Sequence, residues 1–206
     1  LSGRETGDFE ERIDAVMAGS RGLDRVAGTL TRTDGTTVSV EVTATYFGWA
    51  DEPAVVLVVR DVSDRQEQKR DLELKNRVMD EAPIGITIAD ASEPDTPLIY
   101  INDAFQALTG YGEGKALGRN CRFLQGEDTD PETVAEIREA IDQEKPVTAE
   151  LRNYRADGSE FWNRVTIAPV TNSAGAVTHY VGFQDNVTEL KERTEQLAQY
   201  KRAIDG

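Results

Sequence analysis

Alternation of hydrophobic and polar positions marks two separated stretches of the chain, and each stretch contains an Asp-Gly pair. Asp34-Gly35 and Asp157-Gly158 both lie between alternating segments, which is the short-range signal of a tight hairpin turn. We predict long strands from Val38 to Phe47 and from Phe161 to Val170, because period-two alternation is typical of a half-buried strand. Further strands that close each sheet are predicted over Ala54 to Arg60 and Val177 to Gln184.

These two stretches are copies of one internal repeat. The run from Gly28 to Val38 resembles the run from Leu151 to Phe161, and Val56 to Ser63 resembles Val181 to Thr188. In both copies the predicted order is helix, hairpin, strand, helix. Before the second copy alone, the pattern predicts strands at Gly85 to Asp90 and Leu98 to Ile101, then short helical pieces over Asp103 to Gln125.

The domain organisation follows from this asymmetry. Residues 1–63 are expected to be the C-terminal part of a domain whose start lies outside the chain, whereas residues 83–188 are expected to form a whole domain. Residues 64–82 are charged and end before Pro83, which predicts a connecting helix. Residues 189–206 are predicted to form a C-terminal helix.

The charge balance is strongly acidic. The 206 residues contain 23 Lys and Arg against 38 Asp and Glu, for a formal net charge of -15. Such a surface repels phosphate backbones, so direct nucleic-acid binding is not expected. Most of the basic residues are arginine, and this composition suits a high-salt cytoplasm as well as it suits an ordinary acidic protein.

Cysteine and apolar content bear on the compartment. A single cysteine excludes an internal disulfide, and the sequence contains no apolar run of the length that a bilayer span or a signal peptide requires. We therefore expect a cytoplasmic protein without membrane contact. Because the chain begins at Leu1 and ends in a helical pattern, we also expect it to be part of a longer polypeptide.

The single cysteine, Cys121, lies in the run Gly-Arg-Asn-Cys-Arg-Phe-Leu-Gln-Gly at residues 118–126. Taken alone, a lone cysteine is more often a small buried packing residue than a reactive one. This run, however, resembles the signature of light-oxygen-voltage (LOV) domains, the flavin-binding branch of the PAS superfamily. The resemblance covers Pro83 to about Leu190, and correctly spaced matches at Asn153-Tyr154, Phe161 to Asn163 and Gln184 make it more specific than an isolated short motif.

Residue spacing on the predicted strands indicates a polar partner inside the second domain. Val147, Ala149, Leu151 and Asn153 share one strand face, as do Phe161, Asn163, Val165 and Ile167 on the next strand. Each otherwise apolar face therefore presents one asparagine, and a buried amide must be hydrogen-bonded. The pyrimidine edge of a flavin would satisfy both amides; buried backbone or water is the alternative.

The resemblance implies an α+β PAS fold, in which helices pack on one face of a five-stranded antiparallel sheet, with connecting and C-terminal helices. It implies that Cys121 forms the photoadduct and that Arg122 and Arg138 bind a terminal phosphate, which favours FMN over FAD or riboflavin. Gly182 leaves room for a flat ring, and Gln184 could reach the central ring nitrogen. The remaining expected cofactor-binding residues are Asn120, Gln125, Asn153, Asn163 and Thr87.

One position departs from the family pattern. Family members often carry a hydroxyl residue just before the aspartate that ends the first strand, and this chain has Ala89 there. Thr87 lies two residues back on the same face and could compensate. The departure bears on the lifetime of the light state rather than on its formation.

The first copy serves as an internal control. Aligning the repeats places Leu30, Val40 and Val59 at the positions of Asn153, Asn163 and Gln184. All three polar positions have become apolar in a sheet of the same pattern. We therefore predict that the first copy binds no flavin and serves as a structural or dimer-forming PAS module.

These observations predict a blue-light sensory module of a larger signalling protein, which forms a reversible cysteinyl-flavin adduct at Cys121 and passes a hydrogen-bond change through Gln184 to the C-terminal helix. The alternatives are a flavin-based redox or ligand sensor without a productive photocycle and an interaction module without a cofactor. The segment is not expected to be an enzyme, because it contains no evident acid/base pair, and His179 faces away from Gln184.

The expected partners are a second copy of the chain and an effector domain outside the segment, for example a histidine kinase. Dimerisation is expected through PAS faces and flanking helices. Leu190, Leu197 and Ile204 recur at heptad spacing. Three positions are too few to establish a coiled coil, and a solvated helix is the commoner case.

Overall fold

The computed structural model describes residues 23–49 and 52–205. The chain divides into two compact units, Leu1–Lys75 and Asn76–Gly206. The helix expected before the first hairpin falls within residues 1–22, outside the described residues.

The first unit contains a three-stranded antiparallel sheet. Its strands are β1 (Leu23–Thr31), β2 (Thr37–Trp49) and β3 (Glu52–Asp61), in the order β1-β2-β3. Gly35 takes φ +87° in the turn between β1 and β2, a conformation that glycine adopts without strain, so the predicted hairpin is present. Val40, Val42 and Ala44 of the central strand are buried.

Helix α1 (Ser63–Asp80) follows β3 directly. Its predicted range was 64–82, and it ends short of Pro83, whose ring disfavours helical backbone in the residue before it. None of its residues is buried. The charged composition of this segment therefore corresponds to a solvated helix.

The second unit contains the predicted five-stranded antiparallel sheet. Its strand order is β5-β4-β8-β7-β6, so the first and last strands in sequence lie side by side. The bounds are β4 (Gly85–Asp90), β5 (Leu98–Ile101), β6 (Val147–Tyr154), β7 (Glu160–Thr171) and β8 (Val177–Asn186).

Short helices separate β5 from β6. They are α2 (Asp103–Thr109), α3 (Glu113–Ala116), a 3₁₀ turn (Cys121–Leu124) and α4 (Pro131–Asp142). Asp130 caps α4, since its carboxylate accepts hydrogen bonds from the backbone N–H groups of Glu132 and Thr133, and Pro131 occupies the first turn as predicted. Phe105, Leu98, Ile101, Ala116 and Leu124 form the core under these helices.

Helix α5 (Thr188–Asp205) continues from β8. Leu190, Leu197 and Ile204 are 55%, 63% and 82% exposed, so the heptad positions are solvated in the single chain. No helix in the described part of the chain combines the length and the apolar character that crossing a bilayer requires.

Candidate functional site

A cavity of about 340 Å³ opens within the second unit. Its wall combines side chains of β4, β6, β7 and β8 with those of the 3₁₀ turn and α4. All ten site residues predicted from the sequence line this one cavity: Thr87, Asn120, Cys121, Arg122, Gln125, Arg138, Asn153, Asn163, Gly182 and Gln184. Residues that are 97 positions apart in sequence therefore lie around one space, because β4 and β8 are paired.

Asn153 and Asn163 lie side by side on the sheet face that forms the cavity floor. They are only 4% and 2% exposed. The Nδ2 of Asn163 donates to the Oδ1 of Asn153 at 2.8 Å, and the Nδ2 of Asn153 donates to the carbonyl of Arg152 at 3.0 Å. The Oδ1 of Asn163 has no hydrogen-bond partner among the described residues, so this acceptor is left for a donor inside the cavity.

Gln184 carries the second buried acceptor of this kind. Its Nε2 donates to the Oγ1 of Thr87 at 3.3 Å, and its Oε1 has no partner in the described part of the chain. The contact with Thr87 follows from the strand register, since Gly85 pairs with Gln184 and Thr87 with Gly182. Thr87, which we expected to compensate for the missing hydroxyl at Ala89, contacts the glutamine amide.

Gly182 keeps space open between these side chains. A Cβ built on Gly182 would lie 2.5 Å from the Oγ1 of Thr87 and 2.9 Å from the Nε2 of Gln184. Carbon atoms do not approach polar atoms that closely, so any larger residue would displace the amide or the hydroxyl. Gly182 does not have a positive φ, so its backbone conformation does not require glycine. The close approach of the Thr87 and Gln184 side chains does.

Cys121 enters the cavity from the first position of the 3₁₀ turn. Asn120 caps this turn, since its Oδ1 accepts from the backbone N–H of Arg122 at 3.0 Å. The half-buried Cys121 has no disulfide partner, and burial raises the pKa of its thiol to about 12. The thiol is therefore protonated at neutral pH and is a poor nucleophile without activation.

Two arginines supply the positive charge of the cavity. Arg122 extends from the 3₁₀ turn and Arg138 from α4. Arg122 forms an ion pair with the carboxylate of Asp95. The Nδ2 of Asn120 donates to the carbonyl of Asp95 at 2.6 Å, so both ends of this amide bind the protein itself.

The apolar part of the wall was missed by the sequence interpretation. Val134, Ile137 and Ile141 of α4 line the cavity, and their spacing was a readable signal of an amphipathic helix. Leu98 and Leu124 add to this wall, and the hydroxyl of Tyr180 fastens α4 to β8 by donating to the carbonyl of Ile141 at 2.9 Å.

These features fit a flavin. The cavity volume lies in the range of small-molecule sites, and its wall combines apolar side chains with polar and charged ones that converge on the same space. A flavin has N–H and C=O groups on one ring edge, which match an asparagine pair with one unpartnered oxygen. Because the oxygen and nitrogen of a glutamine amide can exchange places, Gln184 can serve a ring acceptor or a ring donor.

Comparison with known families agrees with the fold. A family model described as "PAS domain" matches residues 5–64 and 83–189, which is more than half of the chain. The chain therefore belongs to the PAS domain family. Within that family, its second unit is similar to light-oxygen-voltage domains of blue-light photoreceptors, as the Cys121 motif predicted.

Three relatives illustrate this similarity. The solved LOV domain of a blue-light-activated histidine kinase from Erythrobacter litoralis is 44% identical, with a TM-score of 0.51, over 52% of this chain and 99% of that one. "Blue-light-activated histidine kinase 1" of the same species is 45% identical over 59% of this chain and 34% of that protein. "Bacterioopsin transcriptional activator" of Halobacterium salinarum is 48% identical over 64% of this chain and 20% of that protein. The chain thus spans about a third of one of these two proteins and a fifth of the other.

Proposed function

We propose that this chain is the blue-light sensory module of a larger signalling protein and that Cys121 bonds reversibly to a flavin held in the cavity. The observation that carries the proposal is the presence of two buried, unpartnered amide oxygens in the same cavity as a protonated thiol. Relatives named as blue-light-activated kinases support it.

In the proposed module, the ligand absorbs the light and the protein supplies the thiol. When bound, a flavin supplies the absorption of blue light and a ring carbon that can accept sulfur. Cys121 would supply both parts of the addition, since its Sγ would bond to that carbon while its hydrogen would pass to the adjacent ring nitrogen. The reverse step in the dark would return the hydrogen to sulfur and restore the thiol. Because burial holds the thiol neutral, Cys121 does not react before light arrives.

The remaining residues of the cavity hold and orient the ligand. Asn153 and Asn163 bind the polar ring edge, and Gly182 leaves room for the ring. Arg122 and Arg138 neutralise a terminal phosphate, which favours FMN over riboflavin. FMN is therefore the proposed form of the flavin, with FAD as the less favoured one.

Hydrogen bonds join the end of β8 to the first residue of helix α5. Two residues after Gln184, the Oδ1 of Asn186 accepts from the Oγ1 of Thr188 at 2.6 Å. The same Oγ1 accepts from the backbone N–H of Trp162 at 2.9 Å. A turn of the Gln184 amide would alter the bonding of β8 next to this junction, and α5 is the element that would respond.

The output is proposed to lie outside these residues. One relative is named as a histidine kinase and another as a transcriptional activator, and this chain spans only part of each. We propose an attached effector domain, a homodimer built on PAS faces and flanking helices, and a first unit without flavin. No catalytic activity is assigned to the segment itself, and its cytoplasmic location stays a prediction.

The absorption spectrum before and after blue light tests the proposal. The purified chain is expected to show flavin bands that bleach under blue light and recover in the dark. Cys121→Ala is expected to retain the flavin without bleaching, because the cavity keeps its polar contacts and loses only the sulfur. Flavin content in each preparation is the control for folding.

Each failure of this experiment has a distinct meaning. A colourless chain that also takes up no added flavin would contradict the proposed cofactor. A coloured chain that does not bleach would favour the flavin-based redox or ligand sensor. Bleaching that persists in Cys121→Ala would remove Cys121 from the chemistry.

A further inference from the structure

The loop between β4 and β5 has an unusual backbone where it meets the cavity. Asp95 and Thr96 take φ +68° and +48°, in the left-handed region that non-glycine residues rarely adopt. Thr96 is β-branched, which makes this backbone conformation unfavourable for it, and it lines the cavity. Such outliers persist only where surrounding contacts hold them in place.

The contacts that hold this loop come from both sides of Cys121. Asn120 donates its Nδ2 to the carbonyl of Asp95 at 2.6 Å, with a longer contact of 3.4 Å to the carbonyl of Thr96. Arg122 pairs through its Nη1 with the carboxylate of Asp95. The loop is thus fastened to the turn that carries the reactive thiol.

The ion pair between Arg122 and Asp95 is exposed to water. The two side chains are 54% and 60% exposed, and pairs so exposed to water contribute little to stability. The pair nevertheless occupies one side of the guanidinium that the proposed function assigns to phosphate. A phosphate that binds Arg122 must therefore share it with a carboxylate of the same sign of charge.

We infer that Asp95 is a specificity-determining residue, which competes for Arg122 and thereby weakens the preference of the cavity for a phosphorylated flavin over an unphosphorylated one. This inference rests on the proposed function, since it concerns which flavin the cavity takes. Asp95 acts on the phosphate end alone, because its carboxylate contacts Arg122 and not the amides of Asn153 and Asn163.

The test compares FMN and riboflavin affinities of the flavin-free chain by quenching of flavin fluorescence. Asp95→Asn removes the charge and preserves the loop, since asparagine tolerates the left-handed region as well as aspartate does. FMN affinity is expected to rise by about three- to ten-fold, the scale of a partly screened charge contact, with riboflavin affinity unchanged. Glu93→Gln removes the same charge from the same loop outside the cavity wall, and it is expected to leave the FMN to riboflavin ratio unchanged.

Comparing Arg122→Gln with the double variant Arg122→Gln/Asp95→Asn tests whether Asp95 acts through Arg122. In an Arg122→Gln background, Asp95→Asn is expected to change the ratio much less, because the group for which Asp95 competes is gone. An unchanged ratio in Asp95→Asn, an equal shift in Glu93→Gln, or a full shift without Arg122 would overturn the inference and leave the proposed function standing. Failure of the unaltered chain to bind either flavin would overturn both.

Discussion

Among the described residues of the second unit, two side-chain oxygens are buried without a hydrogen bond, on Asn163 and Gln184. Leaving a buried polar group unsatisfied costs about 1–3 kcal/mol, so these two oxygens require hydrogen-bond donors inside the cavity. The repeat in the first unit has Val40 and Val59 at these positions. A sheet of this pattern therefore forms without the amides, and a ligand with hydrogen-bond donors would satisfy the two oxygens.

Gly182→Ala should be poorly tolerated because its Cβ would collide with both Thr87 and Gln184. We expect a loss of about 1–3 kcal/mol in the free energy of unfolding, as for other overpacked core positions. Weaker flavin binding should accompany it, because the collision is relieved by moving the Gln184 amide. Urea unfolding and a flavin titration measure the two effects.

Gly114→Ala is the matched control for this change. Gly114 lies in α3, and a Cβ built there would meet no atom within 4 Å. Alanine in a helix is favoured over glycine by up to about 1 kcal/mol, so Gly114→Ala should leave stability unchanged or raise it slightly. Equal effects of the two substitutions would mean that the space around Gly182 is not the limiting feature.

At the scale of elements, the first turn of α5 is fastened to the outer side of the sheet. Glu150 of β6 accepts from Lys191 of α5 at 2.6 Å and from Arg164 of β7 at 2.9 Å. The Nζ of Lys191 also lies 4.8 Å from the ring centre of Trp162. The positive neighbours lower the pKa of Glu150, which keeps this carboxylate charged at neutral pH.

Glu150→Gln should loosen α5 selectively. Removal of the charge leaves Lys191 without its anionic partner, and we expect backbone amides in the first turns of α5 to exchange several-fold faster with deuterium. The global free energy of unfolding should fall by less than about 1 kcal/mol, because the pair is partly exposed. Hydrogen exchange followed by mass spectrometry resolves α5 from the sheet.

Glu160→Gln is the control for this prediction. Its carboxylate pairs with Arg152 on the same sheet and makes no ion pair with α5 among the described contacts. Exchange in α5 should therefore stay at the level of the unaltered chain. If both variants increased the amide exchange rate in α5 equally, the effect would reflect the charge of the sheet rather than the contact with Lys191.

The sequence predicted most of these elements because their signals are local. The Asp-Gly turns, the alternating strands and the Asp130-Pro131 helix start each depend on a few neighbouring residues. Element ends differ from prediction by only one or two positions in β7 and β8. The ion pair of Asp95 with Arg122 could not be predicted. It depends on a loop in which two residues other than glycine take positive φ.

At the scale of the whole molecule, the two sheets share one register. Leu30 pairs with Val38 as Asn153 pairs with Phe161, and the other pairs agree with the repeat alignment. Val42 pairs with Val59 as Val165 pairs with Gln184. The alignment made from the Asp-Gly turns is therefore confirmed in the strand pairing, and the substitution of apolar for polar residues is a true positional difference.

The chain as a whole should bind one flavin. In the first unit, Val40 is 2% exposed while Leu30 and Val59 are 38% and 50% exposed, so these three positions do not form a buried polar set like that of the second unit. With no amide at any of them, the first unit lacks the groups that would orient a polar ring edge.

The stoichiometry follows from saturating the chain with FMN, removing the excess and measuring flavin released on denaturation against protein. One flavin per chain is expected, and Asn163→Leu should lower this value, because leucine fills the space of the amide without its hydrogen bonds. Two flavins per chain would mean that the first sheet binds the ligand without inward amides. In that case, the apolar residues at these positions of the first copy would no longer distinguish a PAS module without flavin from one that binds it.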